Sequence, residues 1–98
     1  MADFRRAFGL AVRLVRTRRG WTQSQLDKAA GLANGHVGRI ERGELDPSLG
    51  TLRRVAEALG VSLAELMAQA EEELERRRQR LGLHGSGAQE PETETDSP

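Results

Sequence analysis

The amino-acid sequence predicts an all-α fold, a compact five-helix domain, and three observations lead to it. The chain has 98 residues, enough for one domain with one modest core. Its apolar residues are mostly Leu, Ala and Val, and its many Arg, Glu and Gln residues favour helices over strands. Apolar residues also recur at spacings of three and four, which is typical of amphipathic helices.

The first helix is predicted to run from Asp3 to Arg18, with Asp3 as its N-cap and Gly20 at its end. One apolar stripe along this helix is expected to be core. A second stripe is expected to contact another element, because exposed apolar stripes usually mark contacts. The first stripe consists of Phe4, Phe8, Val12 and Val15, and the second of Ala7, Leu10 and Leu14.

The second helix has clear start signals. Thr22 is its predicted N-cap, and Gln25, three residues later, completes a capping box. Trp21 is placed to pack on Leu26 as a hydrophobic staple, a role that fits it better than stacking on a base. Gly31 ends the helix.

A three-residue turn at 31–33 leads into a short third helix, predicted from Asn34 to Arg42 and closed by Gly43. Two short helices around such a turn form a helix-turn-helix unit. Gly35 and Gly38 each weaken a short helix by roughly 1 kcal/mol relative to Ala. The third helix is therefore expected to become firm only when it binds its partner.

The last two helices follow from their caps. Asp46-Pro47-Ser48 opens a fourth helix that ends at Gly60, and Ser62 with Glu65 forms the capping box of a fifth. The fifth helix is expected to continue to Leu81. The apolar faces are Leu52, Val55, Ala56 and Leu59 in the fourth helix, and Leu63, Leu66, Met67, Ala70 and Leu74 in the fifth.

On its outer face the fifth helix is predicted to carry two ion pairs at four-residue spacing, Glu72–Arg76 and Glu73–Arg77. The run of charged residues from Glu71 to Arg80 fits a solvated helix face better than a binding patch. The extension of this helix is expected to pack on the second stripe of the first helix, within a subunit or across a dimer. It contributes Ala70, Leu74 and Leu81.

The net charge of zero hides a division along the chain. Residues 1–60 contain 11 Lys and Arg against six Asp and Glu, a net charge of +5. Residues 82–98 contain four acids and no Lys or Arg, and their Gly, Ser, Pro and Thr content predicts disorder. We expect a folded domain over residues 1–81 and a disordered acidic tail over 82–98. The positive net charge of the first part suits a polyanionic partner.

Composition also argues against several classes of protein. No Cys is present, which excludes disulfides and thiolate metal sites, and two isolated His residues give no basis for a metal site. Arg5, Arg6, Arg13 and Arg16 interrupt the first apolar segment, so neither a signal-peptide core nor a membrane span is predicted. With no nucleophile–base arrangement and no glycine-rich phosphate loop, we predict no enzyme and no cofactor, and expect a soluble cytoplasmic protein.

From Phe8 to Met67 the sequence resembles the Cro/repressor type of helix-turn-helix domain, the lambda repressor-like or XRE family. A single helix-turn-helix pattern is a weak signal, but an ordered set of matches over roughly sixty residues is specific. The matching pieces are Phe8-Gly9, Val12-Arg13, Val15-Arg16, Trp21-Thr22-Gln23, Leu26, Gly31-Leu32, Val37, Arg39-Ile40-Glu41-Arg42-Gly43-Glu44, Pro47-Ser48, Leu52, Val55-Ala56, Ala58-Leu59 and Val61-Ser62.

This resemblance implies a transcription regulator that binds double-stranded DNA sequence-specifically. It further implies a homodimer that represses transcription at a pseudo-palindromic operator, whose half-sites lie ~34 Å apart. Activation in place of repression stays open. The regulated system also stays open, because controllers of restriction-modification genes and phage repressors share this small size.

The resemblance makes the third helix the recognition helix, whose N-terminal residues and outward face meet base edges. Asn pairs well with adenine and Arg with guanine in the major groove, so Asn34 and Arg39 are the first candidates for readout. His36 fits a base or phosphate contact and a solvated surface residue equally well. The residues assigned to base contacts are Asn34, Gly35, His36 and Arg39.

Three further residues match family positions beside the DNA backbone. Gln23 corresponds to a phosphate-contacting position, Thr22 offers its hydroxyl and amide next to it, and Arg42 is a second phosphate candidate. Arg16 and Glu41 match positions that pair with each other in phage repressors of the family. That pair is interpreted as structural.

Two positions depart from the family pattern. Asp27 stands where a small Ala is usual, and a charge there needs a partner. Ala33 stands where a Ser or Thr often caps the recognition helix. The hypothesis that joins them is that the Asp27 carboxylate reaches the uncapped amides of the third helix.

An alternative interpretation keeps the same fold but assigns the protein a different main partner. In it the domain is an antitoxin or adaptor, and the long fifth helix or the acidic tail binds another protein. A change in DNA affinity that depends on a partner protein would favour this alternative.

Overall fold

Residues 2–82, the part of the chain that the computed structural model describes, form five α-helices and no β-strand, as the sequence predicts. The predicted acidic tail lies outside the described residues from 83 onward. Within residues 2–82, no helix has the length and apolarity needed to span a membrane. The helices are α1 (Ala2–Arg18), α2 (Gln23–Ala29), α3 (His36–Glu41), α4 (Leu49–Leu59) and α5 (Leu63–Arg80).

One apolar core lies between the helices, and the predicted stripes supply it. Phe8 and Val12 of the first α1 stripe are buried, and Phe4 and Val15 pack against the core. The most extensive contact between helices joins α1 to α5, so the two helices pack on each other within one chain. The buried core residues are Phe8, Ala11, Val12, Leu26, Ala30, Val37, Ile40, Val55, Ala56, Leu59, Leu66 and Ala70.

The second stripe of α1 is only partly enclosed by this packing. Ala7 is buried, as is Ala70 of α5, whereas Leu10 and Leu14 stay half-buried. Leu81 is 55% exposed, so it does not take part in the predicted contact within one chain. It is the C-cap residue of α5, one residue beyond the end of the helix.

Local capping explains the starts of three helices, α2, α4 and α5. The Thr22 hydroxyl accepts from the Gln25 amide at 3.1 Å, and the Gln25 side chain accepts from the Thr22 amide at 2.8 Å. The same reciprocal pair at Ser62 and Glu65 begins α5, so both predicted capping boxes are confirmed. Ser48 caps α4 by accepting from the Thr51 amide at 3.2 Å.

Asp3 is not the N-cap of α1. The helix already begins at Ala2, and the Asp3 carboxylate in its first turn accepts from Arg77 Nε at 3.3 Å. The predicted Glu73–Arg77 pair is therefore wrong. Glu73 is instead buried and accepts from Arg76 at 2.8 Å, while the predicted Glu72–Arg76 pair is present at 3.5 Å.

The third helix begins two residues later than predicted. Asn34 and Gly35 lie in a turn before it, because Gly35 has a φ of +89°, in the left-handed region that a right-handed helix does not use. The helix then runs only from His36 to Glu41, with Arg42 as its C-cap. It is the shortest helix of the described part of the chain.

Candidate nucleic-acid interface

Asp27 of α2 is the residue that holds the start of α3. Its carboxylate accepts from the Gly35 amide at 2.9 Å and from the Val37 amide at 2.8 Å, and the residue is only 3% exposed. These amides belong to the first turn of α3, where no local side chain caps them. The hypothesis drawn from Asp27 and Ala33 is confirmed: a cap from the neighbouring helix replaces the missing local one.

A buried ion pair ties α1 to the other end of α3. Arg16 Nε donates to Glu41 Oε2 at 2.6 Å, and Arg16 Nη2 donates to Glu41 Oε1 at 3.0 Å. The remaining Arg16 nitrogen, Nη1, donates to the Trp21 carbonyl at 2.7 Å. The hydrogen bonds to Glu41 raise the pKa of Arg16. The two helices are thereby fixed to each other and to the start of α2.

The same glutamate positions Gln23, the first residue of α2. Gln23 Nε2 donates to Glu41 Oε1 at 2.9 Å. A primary amide nitrogen carries two hydrogens, so the second remains available to another acceptor. Gln23 is exposed, which places that hydrogen at the surface beside α3.

Two glycines allow these close approaches. A methyl group on Gly9 of α1 would lie 2.7 Å from the Glu41 carbonyl oxygen and closer still to that of Ile40. On Gly38 it would lie 3.1 Å from Gln23 Oε1 and 3.2 Å from Arg42 Nη1. The bare backbone of Gly38 therefore makes room for the Gln23 and Arg42 side chains, which the structure brings together above α3.

The residues assigned to base contacts lie at or near the surface. Asn34 and Gly35 are exposed in the turn before α3, and His36 is half-buried in its first turn. Arg39 follows one helical turn later, and its side chain is 57% exposed. Since residues three and four apart share one side of a helix, His36 and Arg39 lie on the same outward side of α3.

Beyond α3, an acidic residue contacts two of the arginines. Glu44 Oε2 accepts from Arg42 Nε at 2.8 Å, and Glu44 Oε1 lies 3.7 Å from Arg39 Nε. The hydrogen bond lowers the pKa of Glu44 and raises the pKa of Arg42, so both remain charged at neutral pH.

Sequence reasoning did not assign a role to Gly38 or Glu44. From the sequence, Gly38 is expected only to lower the stability of the helix. In the structure its missing side chain leaves room for the Gln23 and Arg42 side chains. A signal was available, because a glycine inside a short helix often marks a close approach of another group. The sequence indicates the role of Glu44 less clearly, since the contacts of this residue depend on how the chain turns after α3.

Together these elements form a surface of outward-pointing donors. The Gln23 and Arg42 side chains both lie over Gly38, and Arg39 adds a second guanidinium along α3. Guanidinium and amide groups suit phosphate oxygens and base edges. The major groove of B-DNA admits an α-helix that carries such groups.

Comparison with known proteins agrees with this geometry. The helix-turn-helix family model matches residues 12–66. An uncharacterized HTH-type transcriptional regulator of Sinorhizobium fredii is 33% identical over 70 residues, which cover 71% of this chain and 91% of that protein. The immunity repressor protein of Bacillus phage phi105 is 37% identical over 61 residues, or 62% of this chain and 42% of that protein.

A solved structure shares the fold over most of its length. The clp gene regulator ClgR from Corynebacterium glutamicum superposes with a TM-score of 0.78 at 30% sequence identity, covering 82% of this chain and 85% of that one. The match extends past the helix-turn-helix unit itself. This chain belongs to the Cro/repressor type of the helix-turn-helix family, and it is a transcription regulator with a DNA-binding domain of that family.

Proposed function

We propose that the protein is a homodimeric repressor that reads a two-fold symmetric operator through the turn before α3 and the outward side of α3. The observation that carries the proposal is the exposed set of Asn34, Gly35 and Arg39 beside half-buried His36, at the helix end that Asp27 fixes. The phage immunity repressor among the relatives favours repression. The site of action is the cytoplasm, and residues 1–81 form the DNA-binding domain.

In this proposal the arginine and the asparagine divide the readout. Arg39 donates to a guanine and Asn34 pairs with an adenine, while Gly35 and His36 lie against neighbouring base edges. Each good bidentate contact contributes ~1–3 kcal/mol of discrimination against the wrong base. Asn34 lies in the turn before α3, so it approaches the bases ahead of the helix end.

Thr22, Gln23 and Arg42 are proposed to contact phosphates. Gln23 keeps one amide hydrogen free, and Arg42 is held beside it above Gly38. Such contacts set the position of the protein on the duplex without selecting sequence. Glu41 and Arg16 act behind them by fixing the Gln23 side chain.

The test is selection from a random double-stranded DNA pool at near-physiological salt, followed by sequencing, with wild type, Arg39→Ala and Arg42→Ala. Wild type should enrich a two-fold symmetric site with half-sites ~34 Å apart. Arg39→Ala should relax one base position in each half-site. Arg42→Ala should weaken binding about equally for all sequences and reduce the salt slope by no more than about 1.

Arg53→Ala is the matched control, because Arg53 is an exposed arginine on α4 that pairs with Glu57 away from α3. It removes the same charge and should leave base preference unchanged. If wild type enriches no sequence, the sequence-specific function is wrong, and the partner-protein role becomes the working hypothesis. Enrichment of an asymmetric site would contradict only the homodimer and would leave sequence-specific binding intact.

A further inference from the structure

The backbone after α3 holds Glu44 in a fixed place. The Glu44 amide donates to the Arg39 carbonyl at 3.0 Å, and the Gly43 amide donates to the Ile40 carbonyl at 2.9 Å. Gly43 has a φ of +74°, so the three features together make a Schellman motif at the end of the helix. The Glu44 carboxylate therefore projects from an ordered helix end.

That carboxylate contacts the two arginines to which DNA contacts are assigned. Arg42 donates to it through Nε at 2.8 Å and through Nη2 at 3.4 Å, and Arg39 Nε lies 3.7 Å away. Glu44 is 46% exposed, so solvent and ions reach all three side chains. Exposed ion pairs of this kind are weak and exchange readily with other anions. The arrangement suits a temporary partner for the arginines.

We propose that Glu44 occupies Arg42 and Arg39 in the free protein in the place that DNA takes on binding, and that it thereby lowers the affinity for duplex DNA of any sequence. The inference rests on the proposed function. In the complex a phosphate replaces the carboxylate on Arg42, and Arg39 is released to the bases. Glu44 then lies near the negatively charged backbone without its partners.

This exchange changes how binding depends on salt. A protein that places a cation on a phosphate releases a condensed counterion from DNA, which steepens the salt dependence by ~0.9 per phosphate. When Arg42 leaves Glu44, the freed carboxylate attracts cations from solution. This attraction offsets part of the release, so Arg42 contributes less to the salt slope than an unpaired arginine would.

The experiment measures the affinity of wild type, Glu44→Gln and Glu57→Gln for one unselected duplex and one selected operator, over a series of salt concentrations. Glu57 is a matched control, because it is an exposed glutamate paired with an arginine on α4 and its substitution changes the net charge equally. Glu44→Gln should tighten binding to both duplexes about three- to tenfold at low salt, with a salt slope that is steeper by no more than ~0.9. Glu57→Gln should change affinity less than about twofold, because screening weakens distant exposed charges.

A second comparison places Glu44→Gln in an Arg42→Ala background, where the gain in affinity should shrink because the main partner is gone. A gain of unchanged size would overturn the inference, since it would reflect net charge alone. Equal behaviour of Glu44→Gln and Glu57→Gln would overturn it too, as would a changed base preference, which would make Glu44 a base reader. If wild type binds no duplex, the proposed function itself fails and this inference falls with it.

Discussion

At the scale of single residues, the surface proposed to face DNA depends on acidic side chains buried just behind it. Asp27 holds the first turn of α3, and Glu41 holds the last through Arg16. Both carboxylates are satisfied by two or more donors, which offsets the cost of removing a charge from water. The exposed residues can therefore be polar and mobile while the backbone beneath them stays fixed.

Asp27→Ala should destabilise the domain, because it leaves the amides of Gly35 and Val37 without their acceptor. The expected loss is about 2 kcal/mol, or a melting temperature lower by roughly 10 °C. Thermal unfolding followed by circular dichroism measures it. Asp46→Ala is the control, since the Asp46 carboxylate is 71% exposed and pairs with Arg5 at the surface. Equal melting temperatures for the two variants would contradict the capping role.

At the scale of the helices, the sequence predicts those helix boundaries that depend on residues close by in the chain. Thr22 and Ser62 cap their own helices three residues away, and both boundaries agree with the structure. The start of α3 does not, because its cap comes from Asp27 on another helix. The site residues were proposed from a resemblance, but the contacts of Glu44 with Arg42 follow only from the folded turn.

The predicted Glu73–Arg77 pair failed for a similar reason. Four-residue spacing makes such a pair available, but the same arginine lies close to Asp3 on α1 once α1 and α5 pack. Competition between a local and a distant partner is decided by the packing of helices. The apolar stripes predict that α1 and α5 pack, but they do not predict the register that brings Arg77 next to Asp3.

The crossing of α1 and α3 depends on the absence of a side chain at residue 9. Gly9→Ala should cost about 2 kcal/mol or more, since the added methyl group meets backbone carbonyls that cannot rotate away. Chemical denaturation measures the loss. Gly50→Ala, at a position on α4 with only the Ser48 hydroxyl near at 3.8 Å, should be neutral or stabilising by about 0.5 kcal/mol. Similar stabilities for the two variants would mean that α1 moves away from α3 at little cost.

At the scale of the whole molecule, α1 and α5 form a scaffold that supports the helix-turn-helix unit of α2 and α3. Their contact is the most extensive between helices, and the Asp3–Arg77 pair joins their ends. The scaffold leaves Leu81 exposed and Leu74 half-buried near the end of α5. Any second subunit that uses this end of the molecule would bury them further.

Leu74→Lys should lower the free energy of unfolding by about 1–2 kcal/mol, because a charged group enters a half-buried apolar position. Thermal unfolding and sedimentation velocity are measured on the same samples. Leu81→Lys, at an exposed position, should leave the stability of one subunit unchanged. If Leu74→Lys changed neither stability nor oligomeric state, the packing role of Leu74 would be wrong.

The alternation along α3 has an evolutionary consequence. Val37 and Ile40 are buried and Gly38 faces Gln23, whereas Arg39 points away from the core. Substitutions at 34 and 39 therefore leave the anchoring residues untouched. If these outward positions read the bases as proposed, duplicated copies of such a gene can acquire new target sequences through them without first losing the fold, so a change of specificity and an unchanged architecture are compatible in one short helix.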